Sequence, residues 1–99
     1  GRPSDAAMSA VVAAFNARDF SHGAALAREL TQQYPEHGFG WKALGAMLQP
    51  LGHEEEAIAA KRRAVALLPD DAEAHCNLGH LLQNRGLLQE AEQVLLHAL

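Results

Sequence analysis

Trp41-Lys42-Ala43-Leu44-Gly45 returns 34 positions later as His75-Cys76-Asn77-Leu78-Gly79, and that echo decides the fold. The same interval carries Pro35 to Pro69, Gly52 to Gly86, Ala57 to Ala91 and Ala64 to Ala98. A fixed period of this length marks an array of supersecondary units, none of which can bury its apolar face alone. The chain is therefore expected to be a stacked scaffold rather than a closed enzyme domain.

Working outward from the repeated segment, proline and glycine divide the chain into six helical stretches. A first helix is expected over about Ser4 to Asn16, with Ser4 as N-cap and Asp5 at the favourable end of the dipole. Arg18-Asp19-Phe20-Ser21 forms the break, a second helix runs to about Gln33, and Pro35 stops it. A third spans roughly Gly38 to Gln49 and ends at Pro50 and Gly52. The fourth, Glu54 to about Leu68, opens on three glutamates and carries Lys61, Arg62 and Arg63 later, a polarity that complements the macrodipole. Asp70 with Glu73 reads as a capping box for the fifth helix, and Arg85-Gly86 separates that helix from a sixth beginning at Leu88. No segment alternates with β-branched enrichment, so no sheet is expected. Connections this short force successive helices to pack as antiparallel neighbours. The predicted architecture is all-α: a right-handed α-solenoid of three stacked antiparallel helix pairs, one domain over residues 1–99, with units at about 4–37, 38–71 and 72–99.

Composition narrows the function. Hydrophobic residues make up 48% of the 99, yet only five are aromatic, and alanine-rich texture suits close helix packing. A net charge of -4 provides no basic face for phosphates, and Lys61-Arg62-Arg63 reads as a solvated helix face, so no nucleic-acid partner is expected. The longest purely apolar run, residues 10–15, falls far short of the ~20 residues a membrane span needs. Cys76 stands alone, which excludes an intrachain disulfide and fits a reducing compartment, so a cytoplasmic location is expected. The start at Gly1-Arg2-Pro3 and the lack of a polar helix after Leu99 lead us to expect an excised piece of a longer array. An apolar stripe of Val94, Leu95 and Ala98 is then expected on the last helix, giving a route to homo-oligomers through exposed repeat ends.

Trp41, Leu44, Gly45, Leu48, Gly52, Ala57, Ala64 and Pro69 together resemble the tetratricopeptide repeat, and His75, Leu78, Gly79, Leu82, Gly86, Ala91 and Ala98 repeat the pattern. In the first unit Ala7, Ala10, Val11 and Ala14 hold the corresponding places and Arg18 replaces the turn glycine, a departure common in terminal units. The slot that takes an aromatic in the family's second helix holds Ala27, Lys61 and Leu95. Lys61 is expected to lay its stem on apolar surface and keep its ammonium wet. Asn77 before Leu78-Gly79 is similar to the asparagine-lined repeats of O-linked N-acetylglucosamine transferases of the bacterial SPINDLY type. That likeness implies repeats that select protein substrate for a catalytic domain elsewhere.

Residues that could carry chemistry have structural explanations. Gly38-Phe39-Gly40-Trp41-Lys42-Ala43 imitates a dinucleotide fingerprint, but Pro35 and a helix precede it where a strand is required. Asp19, Ser21 and His22 are neighbours in a turn, which is not triad geometry. Cys76 and His80 share a helical face, yet two ligands leave a tetrahedral metal site half empty. No enzyme activity, cofactor or metal is assigned to this segment.

The resemblance instead implies a concave groove lined by the first helix of each unit, among them Met8, Ser9 and Val12. The groove residues expected to meet a partner are Phe15, Phe39, Lys42, Ala46, Gln49, Cys76, Asn77, His80, Gln83 and Asn84. Apolar toward one end and amide-rich toward the other, this set suits an extended protein or peptide segment. It lacks the cluster of Lys and Arg that would announce capture of a terminal carboxylate. The expected function is a protein-interaction scaffold.

Overall fold

The structure, a computed structural model, describes residues 1–99 and contains six helices and no strand. They are α1 (Asp5–Asn16), α2 (Phe20–Gln33), α3 (Gly38–Leu48), α4 (Glu54–Leu67), α5 (Ala72–Asn84) and α6 (Leu88–Ala98). Each packs chiefly on its neighbours in sequence, giving an all-α repeat fold of three stacked hairpins, α1–α2, α3–α4 and α5–α6. The stack measures 37 × 28 × 20 Å.

The turn inside each hairpin is the same object three times. Gly52 N–H donates to the Gln49 carbonyl and His53 N–H to that of Leu48, at 3.0 and 3.1 Å. Gly86 and Leu87 repeat this pair of bonds onto Gln83 and Leu82, and Arg18 and Asp19 repeat it onto Phe15 and Ala14. This is the Schellman closure, which needs a left-handed residue at its centre. Gly52 and Gly86 supply it at φ 83° and 76°, and Arg18 is driven to φ 59° in the same role. A side chain in that region costs about 1–2 kcal/mol. Arg18→Gly is therefore expected to stabilise the chain by about 1 kcal/mol, less the entropy glycine loses on folding. Urea denaturation measures it, and an unchanged midpoint would show the turn to be unstrained.

Local start signals needed two corrections. Asp70 does not open α5. Asp71 is the N-cap, its carboxylate accepting the Ala74 N–H at 3.0 Å, which puts Ala74 where a capping box requires Glu and frees Glu73 for another partner. The first break is also shorter than expected, because α2 begins at Phe20. The Phe20 ring packs edge-on against Phe15, centroids 5.9 Å apart, and joins the core, so burial draws it into the helix. Ser4 does cap α1, its Oγ accepting the Ala7 N–H at 3.1 Å.

The core follows the repeat. Leu44, Met47 and Leu48 of α3, Ala57, Ile58 and Ala60 of α4 and Leu78, Leu81 and Leu82 of α5 belong to one apolar cluster, in which α4 packs against both α3 and α5. Each buried Leu is worth about 1.5–3 kcal/mol of transfer free energy. Small residues allow the helices to close. A Cβ at Gly45 would stand 2.7 Å from Lys61 Cγ, and one at Gly79 2.5 Å from Leu95. The glycines of the false dinucleotide motif have the same reason. At Gly38 a Cβ would run into Leu68, and at Gly40 it would crowd Leu30 and the Thr31 backbone.

A second periodic feature lies outside the core. Arg28 of α2 pairs with Glu56 of α4, and 34 residues on Arg62 of α4 makes two bonds, 2.8 and 2.7 Å, to Glu90 of α6. These guanidinium bonds hold both carboxyls below the usual glutamate range. The pairs are exposed, so each contributes little stability, but they join successive second helices in one register.

Candidate functional site

The first helices of all three units share one face. The spacing of Phe39, Lys42, Ala43 and Ala46 keeps them on one side of α3, as it does Val12 and Phe15 on α1 and Glu73, Ala74 and Asn77 on α5. Together with Val11, Met47 and, from α4, Lys61 and Ala64, they enclose a cleft of about 400 Å³. Nine of its thirteen lining residues are hydrophobic. Val12 and Phe15 stand 46% and 44% exposed at the lip, so apolar surface is left wet where a ligand would enter.

Two lysines give the cleft its electrostatics, and they differ. Lys42 Nζ lies 2.8 Å from Asp71 Oδ2 and 2.8 Å from Glu73 Oε1. Burial lowers its pKa, but the two carboxylate hydrogen bonds outweigh this and the net shift is upward. The same bond to Lys42, then the Ala74 N–H, hold Asp71 below the usual carboxylate range. This triplet ties α3 to the start of α5 beside the cleft. Lys61 has no acidic partner at all. Its stem crosses the notch left by Gly45, and the residue is 7% exposed. Burial pushes its pKa down. As expected, the stem lies on apolar surface in the floor of the cleft, while the ammonium, which has no hydrogen-bond partner, is not closed off from solvent.

Of the residues read from the sequence, the cleft brings together Val12, Phe15, Phe39, Lys42, Ala46 and Asn77. Gln49 instead ends α3 as its C-cap and is exposed. His80, Gln83 and Asn84 continue along α5 beyond the cleft, exposed, and Cys76 is half-buried outside it. Met8 and Ser9 line a separate shallow dent along α1 with Val12. Sequence reasoning missed Val11, Met47, Lys61, Ala64, Glu73 and Ala74 as lining. Lys61 carried a usable signal, a cation in a slot otherwise apolar, one hairpin-width from Gly45.

The remaining candidates have structural roles. His75 is buried, its Nδ1 2.8 Å from the Asp71 carbonyl, and its ring stacks at 4.6 Å on His97, whose Nε2 lies 3.1 Å from the Pro69 carbonyl. In the preceding unit the Trp41 indole N–H donates to the Pro35 carbonyl at 2.9 Å. Two imidazoles thus occupy the place of one indole. No three His, Cys, Asp or Glu side chains converge on a metal-sized site. Ser21 and His22 are exposed in the first turn of α2, and no helix is long and apolar enough to cross a membrane. On α6 the expected stripe is corrected. Val94, Leu95 and Ala98 are half-buried, Leu95 seating on Gly79, and the apolar residues left outside are Leu87, Leu88 and Leu96.

Comparison with known proteins agrees with this geometry. The family model for the TPR repeat matches residues 51–86. Over 65 residues the chain is 40% identical to the peroxisomal targeting signal receptor of Kluyveromyces lactis, a match that takes in 66% of this chain and 12% of that protein. Solved structures titled MamA MSR-1 and MamA AMB-1 superpose over 93% of the chain with TM-scores of 0.80 and 0.82, at 21% identity. The chain spans about half the length of those structures, 53% and 50%. Residues 51–86, which hold α4 and α5, thus read as TPR repeat in sequence, and the three hairpins of the chain are all closed by the same turn.

Proposed function

We propose that this chain is a protein-interaction module that holds an extended segment of a partner protein in the cleft between α1, α3 and α5. The observation that carries the reading is the cleft itself: a preformed, mostly apolar depression with exposed Val12 and Phe15 at its lip. Concave apolar surface with a few placed polar groups is the usual form of a ligand site. Here Asn77 is the neutral polar group, able to donate to and accept from a peptide backbone. The name of the receptor that shares 40% identity points to recognition of a targeting signal, and we extend to this chain only the idea of a polypeptide ligand. Binding would proceed by complementarity on a rigid surface with no covalent step, in the cytoplasm.

A second reading has one observation behind it. Asn77 faces the cleft, as an asparagine would in repeats that present protein substrate to a glycosyltransferase domain elsewhere in the parent protein. The two readings share the cleft and differ in what is joined to it.

Nitrogen-15-labelled protein titrated with a selected peptide tests both. Amide shifts are expected at Val12, Phe39, Ala46 and Asn77, with Gln83 and Asn84 unmoved. Shifts confined to α2 and α6, which contribute no lining residue, would reject the cleft as the binding surface.

A further inference from the structure

We propose that Lys61 is an anion subsite in the floor of the cleft, and that the preferred ligand carries a single glutamate side chain between apolar residues. The inference rests on the cleft being a peptide site and names the chemistry that would fill it.

Lys61 has an enclosed stem and an unpaired ammonium that is still open to solvent, so the charge is free to take a counter-ion. Lys61 is more than nine-tenths buried, lines the cleft and has no ion-pair partner. Every other cation that the second and third hairpins bring near an acid is already paired: Lys42 with Asp71 and Glu73, Arg62 with Glu90, Arg63 with Glu36, Arg85 with Glu54 and Glu55. Lys61 is the exception, and it lies in the floor that a ligand in the cleft would reach.

The surroundings choose among anions. Ala43, Ala46, Ala64 and Ala74 wall the floor, so a peptide backbone brought down to Lys61 would leave its own N–H and C=O groups without partners. A terminal carboxylate could reach the ammonium only that way. A glutamate side chain crosses the apolar layer with two methylenes and delivers only its carboxylate. Glu73 at the rim repels a second acid, so a lone glutamate flanked by apolar residues fits and an acidic run does not.

A phage-displayed library of random peptides selected on the wild type and on Lys61→Met tests the assignment. Methionine keeps an unbranched stem across Gly45 and removes the unpaired charge, so the variant should melt at the wild-type temperature or above it. The wild type should enrich peptides with one Glu between apolar residues, and the variant should lose that preference. A selected peptide with its Glu changed to Gln should bind the wild type about tenfold more weakly or worse, the scale of one charge-assisted hydrogen bond. The same change should leave binding to Lys61→Met unaltered. Equal affinity of the Glu and Gln peptides for the wild type overturns the anion subsite while leaving the peptide cleft standing. A peptide whose only carboxylate is its free C-terminus, binding as tightly, overturns the choice of a side chain. Failure to select any peptide that shifts cleft amides overturns both the subsite and the cleft.

Discussion

Gly45→Leu will unfold this chain at a temperature roughly 15 °C below the wild type, corresponding to a loss of about 3 kcal/mol. The site leaves no room for a side chain. A Cβ there already stands 2.7 Å from Lys61 Cγ and 3.4 Å from the Ala57 carbonyl oxygen, and leucine adds three more carbons beyond it. Lys61 cannot swing aside cheaply, because the atom in the way is the middle of its stem and the residue is buried on both sides. The only relief is to move α3 away from α4, which opens the packing of Leu44, Met47 and Leu48 against Ala57 and Ile58. Thermal melts by circular dichroism decide it. A near-wild-type transition would mean that the two helices do not meet at Gly45.

Ala46→Trp will abolish binding of any peptide held in the cleft, by about 30-fold or more, the scale of a hot-spot residue. Ala46 is half-exposed on the cleft side of α3, so the indole has space to occupy without entering the core. It would lie against Phe15 and Phe39, on the apolar area that a ligand needs. Because the substitution fills a depression rather than creating a cavity, the melting temperature should hold within a few degrees. Fluorescence anisotropy with a cleft-selected peptide reads the affinity, and the melt reads the fold. Undiminished binding would place the ligand elsewhere on the surface.

The fold was legible because the period is written in residues with few alternatives. Pro35 and Pro69 stop helices, Gly52 and Gly86 take a left-handed turn, and Gly45, Ala57, Gly79 and Ala91 sit where two backbones approach. Even Arg18, a departure from pattern, obeys it in the structure, since backbone geometry dictated by the hairpin overrode the side chain's reluctance. Boundaries were harder to read. Asp70 and Asp71 are equally good caps, and Phe20 belongs to α2 for the sake of a ring contact that no local pattern announces. The cleft was half legible. Phe15, Phe39, Lys42, Ala46 and Asn77 follow from helical spacing on the first helices, which is where the family resemblance directs attention. Lys61 belongs to a second helix and reaches the cleft only through the gap above Gly45, so a reading confined to first helices passes over it. Gln83 and Asn84 share the face of α5 but lie past the point where the depression ends.

The bonds from Arg28 to Glu56 and from Arg62 to Glu90 run between consecutive second helices, and none of the four residues lines the opening between α1, α3 and α5. A curved stack can pinch its hollow side only by fanning out its opposite side, so these links act as stays on a bow and set how far the hollow can narrow. Their charges are exposed, and dissolved ions weaken them. If the proposed peptide occupies the hollow, its affinity is expected to depend on ionic strength partly through these residues, none of which lines the cleft.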